Sequence, residues 1–152
     1  MACNSHPSPA LAVPGHRAPG VGVESPFELL AACHNRVRRS LDLLQRLQTH
    51  VARIGCDKDA RSAAQDVLRY FDLAAPLHHQ DEELHVCPPL LASADTKLHA
   101  HVRKLQAEHL EMEKRWQSAR QVLQEIAAAA DNNASPLHAN QLRTLNDFSV
   151  LY

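Results

Sequence analysis

The sequence predicts an all-α fold, an up-down-up-down four-helix bundle whose fourth helix is short or truncated, behind a Pro/Gly-rich N-terminal tail. Three observations predict it. Apolar residues make up 45% of the 152 residues and aromatics only 4%, so Leu and Ala build the core, which favours helices over sheets. From Ser25 onward there is a single glycine, Gly55, and the prolines cluster where helices begin or end. Four segments carry apolar residues at spacings that alternate between three and four. Short connections between long helices make antiparallel neighbours. A three-helix bundle with a loose tail is the alternative this pattern leaves open.

Residues 1–24 form the first unit. Pro7, Pro9, Pro14 and Pro19 sit there with Gly15, Gly20 and Gly22, and no hydrophobic period is visible, so a flexible tail is expected. The bundle domain spans 25–152. Its first helix opens at Ser25-Pro26-Phe27-Glu28, a capping residue, a first-turn proline and a capping-box glutamate. Its inward stripe reads Leu30, His34, Val37, Leu41, Leu44, Leu47 or Gln48, and Val51, and it stops near Gly55. The second runs from about Asp59 to Val86, with Pro88-Pro89 as its stop and Pro76 as an internal kink. Its stripe is Ala60, Ala64, Val67, Phe71, Ala74, His78, Glu82 and, at its end, His85. The third runs from about Asp95 to Ala130 on Leu98, Val102, Leu105, His109, Met112, Trp116, Ala119, Leu123 and Ile126, and Asp131-Asn132-Asn133 ends it. The fourth starts at Ser135-Pro136 and presents Leu142, Leu145, Phe148 and Tyr152.

Composition excludes several function classes. Sixteen Lys+Arg against 17 Asp+Glu leave a net charge of −1, without the basic excess of a nucleic-acid surface. No apolar run approaches the roughly 20 residues of a membrane span. The N-terminus lacks a signal-peptide pattern, and Cys3, Cys33, Cys56 and Cys87 contain no C-x-x-C pair, so reduced thiols in the cytoplasm are expected. No glycine-rich phosphate loop or nucleophile elbow occurs.

The informative feature is where the eleven histidines fall. His34, His78, Glu82 and His109 occupy stripe positions on three helices, and Glu113 follows one turn beyond His109. Burying isolated imidazoles and carboxylates costs roughly several kcal/mol each unless they are paired or bound to metal. His78 and Glu82 are i,i+4, as are His109 and Glu113, which places each pair on one helix face. Two such pairs plus His34 give five candidate N/O ligands. Carboxylate bridges with imidazole caps suit a pair of iron or manganese ions, and zinc ranks lower because four ligands without a bridge satisfy it. His50, His79, His99, His101 and His138 are expected to be ordinary solvated or helix-end residues. Asp81 and Glu83 are read as a solvated acidic face or as acceptors for ligand N–H groups. Cys87 reads as a small buried residue beside Pro88.

The string Arg69-Tyr70-Phe71, Leu77-His78-His79-Gln80-Asp81-Glu82-Glu83, Pro88-Pro89-Leu90, followed by Glu108-His109-Leu110-Glu111-Met112-Glu113 and Trp116, resembles the hemerythrin-like HHE cation-binding domain, and His34 matches that family's first histidine. The resemblance covers roughly Phe27 to Tyr152. It implies a four-helix bundle holding a non-haem di-iron centre, with His34, His78, Glu82, His109 and Glu113 as metal ligands and Glu82 as the bridging carboxylate. It also implies a small diatomic partner, oxygen or nitric oxide, or a role in sensing iron. Two departures matter. Oxygen carriers of the family use a second histidine where this chain has Glu113, and the more carboxylate-rich shell favours ferric iron over reversible oxygen carriage. The family's fourth helix also continues past a Phe-x-x-x-Tyr pattern, here Phe148 and Tyr152, to another histidine and an acidic residue. The expectation is a fragment or truncated product that lacks these two ligands.

Three functional readings follow from the residues and the resemblance. The first is a di-iron protein that binds or senses oxygen, nitric oxide or iron, rather than an enzyme. The second is a redox enzyme of the same architecture acting on peroxide or nitric oxide, and the third a helical interaction module with a degenerate site. No nucleic acid or membrane partner is expected, and a face left unfilled by a short fourth helix would favour a homodimer.

Overall fold

A computed structural model describes residues 26–130 and 137–151. The tail over 1–24, the Ser25 cap, the Asp131-Asn132-Asn133 stop, the Ser135-Pro136 start and Tyr152 lie outside these residues. Among the described residues the chain is helical, with no strand. The elements are α1 (Pro26–Arg53), α2 (Lys58–Arg69), a π-helical turn (Tyr70–Ala74), α3 (Ala75–Asp81), a second π turn (Glu82–Val86), α4 (Cys87–Leu91), α5 (Thr96–Ala127) and α6 (Ala139–Ser149). From Lys58 to Leu91 the helical backbone is continuous, so four long helical stretches pack together. α1 touches α2 and α6, while α5 touches α2, α4 and α6.

The ends have identifiable causes. Gly55 adopts φ 100°, a left-handed conformation in which any Cβ would clash, and its N–H returns to the Val51 carbonyl at 3.0 Å, closing α1. Asp57 then caps α2 by accepting from the Ala60 N–H at 2.8 Å. Asp95 does the same for α5 through the Lys97 and Leu98 N–H groups. At α6 the Gln141 side chain accepts from the His138 backbone N–H at 2.8 Å and donates to Glu125 at 2.6 Å, tying this helix to α5. The fourth helix therefore begins at Ala139, later than the Ser135-Pro136 signal suggests, because its cap is formed at His138.

Two details of the second stretch depart from the expectation. Pro76 does not act alone as a kink. The π turn before it widens the backbone, so that Pro76 falls in the first turn of α3, where its missing N–H costs nothing. The same turn shifts the inward phase by one residue, burying Ala75 in place of Ala74. Likewise Pro88-Pro89 does not stop the helix at Val86. The second π turn puts Pro88 in the first turn of α4, and helical backbone continues to Leu91.

The core follows the stripes. Leu44, Leu47 and Val51 of α1, Ala64 and Val67 of α2, Leu123 and Ile126 of α5 and Leu145 of α6 are buried in one cluster. Phe71, Trp116 and Phe148 close it as a triangle, with ring centroids 5.0–5.2 Å apart. The Trp116 indole N–H donates to Asp72 at 3.0 Å, and Arg120 Nε donates to the same carboxylate at 2.9 Å, so the first π turn is pinned to α5. One turn beyond this triangle the interior becomes polar.

Candidate metal centre

His78, Glu82 and His109 are the buried polar side chains among the described residues, at 6%, 4% and 7% exposure. Each lies on the inward stripe of its helix. The spacing Phe71, Ala75, His78, Glu82 continues the core line of the second stretch, and His109, Met112, Trp116 continues that of α5. From α1, His34 enters the same space at partial exposure.

Glu82 is the hub. Its Oε1 lies 3.4 Å from His34 Nε2 and 3.7 Å from His78 Nε2, and its Oε2 lies 3.2 Å from His109 Nε2. Three imidazoles from three helical stretches thus aim the same nitrogen at one carboxylate. The rings of His34 and His78 meet edge to face at 4.9 Å. One donor atom each from His34, His78 and Glu82 falls within 4.8 Å of the others. Donors at about 2.0–2.2 Å from a shared cation stand roughly 3–4 Å apart, so His34, His78 and Glu82 fit one cation after a small contraction, while His109 faces the other Glu82 oxygen and lies outside that set. Surrounding it is a cavity of about 310 Å³, bordered by Val37, Leu105, Met112 and Leu151.

The electrostatics suit cation binding. Burial alone would raise the Glu82 carboxyl, but the His109 ring, with the charges of His78 and His34, outweighs burial and holds it below the usual carboxylate value. Burial lowers the His78 pKa, against the pull of the Glu82 carboxylate. His109 behaves in the opposite way. Burial works to lower it, yet the Glu82 and Glu83 carboxylates at its two nitrogens leave it raised.

The five residues read from the sequence are placed unequally. His34, His78, Glu82 and His109 come together. Glu113 does not join them; it is exposed and borders a second cavity of about 710 Å³, alongside Leu77, Leu110 and Trp116. Met112 takes the inward position one turn after His109, and Glu113 falls past it on the helix surface. His85, at the end of its stripe, is exposed too.

Several residues outside the expected ligand set have specific roles, Glu83 as the acceptor for a ligand N–H that was one of its two expected readings. His79 lies flat on His109, with centroids 4.1 Å apart and planes 11° from parallel, and burial pushes its pKa down to about 4. Glu83 binds His109 Nδ1 at 3.1 Å, and its other oxygen accepts from Gln106 at 2.7 Å. His50 is not simply solvated, since its Nε2 meets Asp57 at 2.9 Å. His99 contacts the Ser93 carbonyl at 2.9 Å. His101 and His138 are exposed as expected, and Cys87 is buried as expected. The doublet His78-His79 was the available signal for the stacking role, because an adjacent ring 100° away points toward the next helix rather than into the stripe.

Comparison with known proteins agrees with this geometry. A family model for the hemerythrin HHE cation-binding domain matches residues 25–149. A Haemophilus influenzae protein described only as uncharacterized is 32% identical over 101 residues, covering 66% of this chain and 58% of its own length. The chain thus spans less than two thirds of that relative. No helix among the described residues is long and apolar enough to cross a membrane. The family match, which covers nearly all of the helical region, shows that the chain belongs to the hemerythrin HHE cation-binding domain family.

Proposed function

We propose that this chain is a non-haem iron protein that binds or senses a small diatomic molecule, oxygen or nitric oxide, at a centre held by His34, His78, Glu82 and His109. The observation that carries the reading is the Glu82 carboxylate with three imidazole nitrogens at 3.2–3.7 Å. Nitrogen and oxygen donors of this kind suit iron, with manganese and zinc as the competing metals. When bound, iron supplies redox chemistry and a coordination position for a small ligand.

The chain's own residues do the rest. Both Glu82 oxygens face imidazoles, so this carboxylate would be shared if the centre held two ions. This supports a di-iron rather than a mono-iron centre. His34, half exposed, lies at the open side, while His78 and His109 are buried. Glu113 would join as a fifth ligand only by turning inward past Met112. The arrangement fits an up-down-up-down bundle, with Leu151, just past the fourth helix, bordering the centre. Free thiols at Cys33, Cys56 and Cys87 support a reducing, cytoplasmic setting. The exposed leucines Leu73, Leu77, Leu84 and Leu110 would serve a homodimer.

The test is anaerobic reconstitution with ferrous iron, followed by exposure to oxygen or nitric oxide. Iron bound per chain and a new charge-transfer absorption on gas addition are expected. Failure to take up iron would remove the reading. Steady turnover of peroxide or nitric oxide would replace it with a redox enzyme. A melting temperature unmoved by iron and chelator would leave an interaction module, because a metal held by the native state must raise stability.

A further inference from the structure

We propose that Glu83 is a positioning residue: gripped by Gln106, it accepts a hydrogen bond from His109 Nδ1–H and so commits that ring to present its Nε2 lone pair to the centre at Glu82. The inference rests on the cation-binding reading and goes beyond it, since it assigns how one ligand's proton is placed.

The geometry is specific. His109 is held at both ring nitrogens by successive carboxylates of the second π turn, Glu83 at Nδ1 and Glu82 at Nε2. A neutral imidazole carries one proton and can donate at one nitrogen only. If the proton sits on Nε2 it lies between the ring and Glu82, where a cation would bind. If it sits on Nδ1, Nε2 is free. Glu83 is built to win this competition. Gln106 donates to its second oxygen at 2.7 Å, which fixes the carboxylate plane, and its first oxygen lies at hydrogen-bond distance from Nδ1. Glu82 must divide its two oxygens among three imidazoles, whereas Glu83 serves this one. The stack of His79 on the His109 face removes the remaining freedom, rotation of the ring out of the plane of these contacts. Carboxylates that hold the distal N–H of a metal-bound imidazole typically contribute 10–100-fold in metal affinity.

The experiment uses metal-free protein labelled with ¹⁵N-histidine, in buffer alkaline enough for the His109 ring to be neutral, with two-bond ¹H–¹⁵N correlations reporting the tautomer. In the wild type the proton is expected on Nδ1. In Glu83→Ala it is expected to move to Nε2, facing Glu82, and Glu83→Gln, which keeps an acceptor and the shape, should give an intermediate population. Titration with Co(II) should show a loss of about 10–100-fold for Glu83→Ala and a smaller loss for Gln106→Leu. A purely structural role would not move the tautomer. A wild-type ring protonated at Nε2, or a Glu83→Ala protein with unchanged tautomer and unchanged Co(II) affinity, would overturn the proposal. Absence of Co(II) binding by the wild type would instead count against the metal centre itself, and the tautomer measurement would still decide the role of Glu83.

Discussion

His79 lies parallel to His109 at a centroid distance of 4.1 Å, a neutral ring stacked on a ligand candidate. Burial holds the His79 pKa near 4, against about 6.5 in an unfolded chain. Between those values the unfolded chain binds more protons than the folded one, so this residue's contribution to stability is complete above pH 6.5 and declines as pH falls toward about 4. His78, lowered too, acts in the same sense, while His109, raised, acts in the opposite one. Urea unfolding of the metal-free protein should therefore show a smaller loss from pH 7.5 to 5 in His79→Phe than in the wild type. Parallel curves for the two proteins would contradict the burial of His79.

Metal uptake should follow the protonation of His109. Burial works against it, but two carboxylates leave its folded pKa raised, so a cation competes with a proton for this ring. Affinity for Co(II) or ferrous iron should rise with pH through and above 6.5 and then level off. Calorimetry in buffers of different ionisation enthalpy would count the released proton. A flat profile across this range would exclude His109 from the ligand set.

Single substitutions should separate ligands from bystanders. His109→Ala and Glu82→Ala should each abolish most metal binding. His99→Ala, which removes only a contact to the Ser93 carbonyl, should leave it intact. Because Glu113 is exposed, Glu113→Ala should cost much less than His109→Ala. Equal losses for His99→Ala and His109→Ala, read by equilibrium dialysis, would mean that the inward face of α5 carries no ligand.

Beneath the centre, Phe148 meets Phe71 edge to face at 5.0 Å and is fully buried. Phe148→Ala should cost about 3–5 kcal/mol, the usual loss for a buried phenylalanine. Leu84 is 59% exposed, and Leu84→Gln should stay within about 0.5 kcal/mol. Urea midpoints of the two variants would test the assignment of the core.

Much of this was legible in the sequence because the stripes are long and regular. Leu44, Val67, Trp116 and Phe148 were expected to face inward and do so. His34, His78, Glu82 and His109 stood out because polar residues on an apolar stripe need a shared reason. What was not legible depends on departures from the regular α-helix. The two π turns moved the buried position from Ala74 to Ala75 and let Pro88-Pro89 sit inside helical backbone. A uniform 3.6-residue period has no place for either. Glu113 looked equivalent to Glu82 because both follow a histidine by four residues. On α5, however, Met112 takes the inward place, and spacing alone does not say which neighbour of the stripe wins. The role of His79 lies between helices, where distance across the groove to α5 decides the contact, whereas Glu83 takes the N–H-acceptor role that was one of its two readings.

His34, His78, Glu82 and His109 are proposed to hold iron at one centre around the Glu82 carboxylate. A crystal structure of the iron-reconstituted protein, with anomalous scattering at the iron edge, tests it most directly. The expected result is an anomalous peak within about 2.0–2.3 Å of the Glu82 carboxylate and of the Nε2 atoms facing it. A peak elsewhere in the molecule, or iron-free density between these side chains in a protein shown to contain iron, would contradict it.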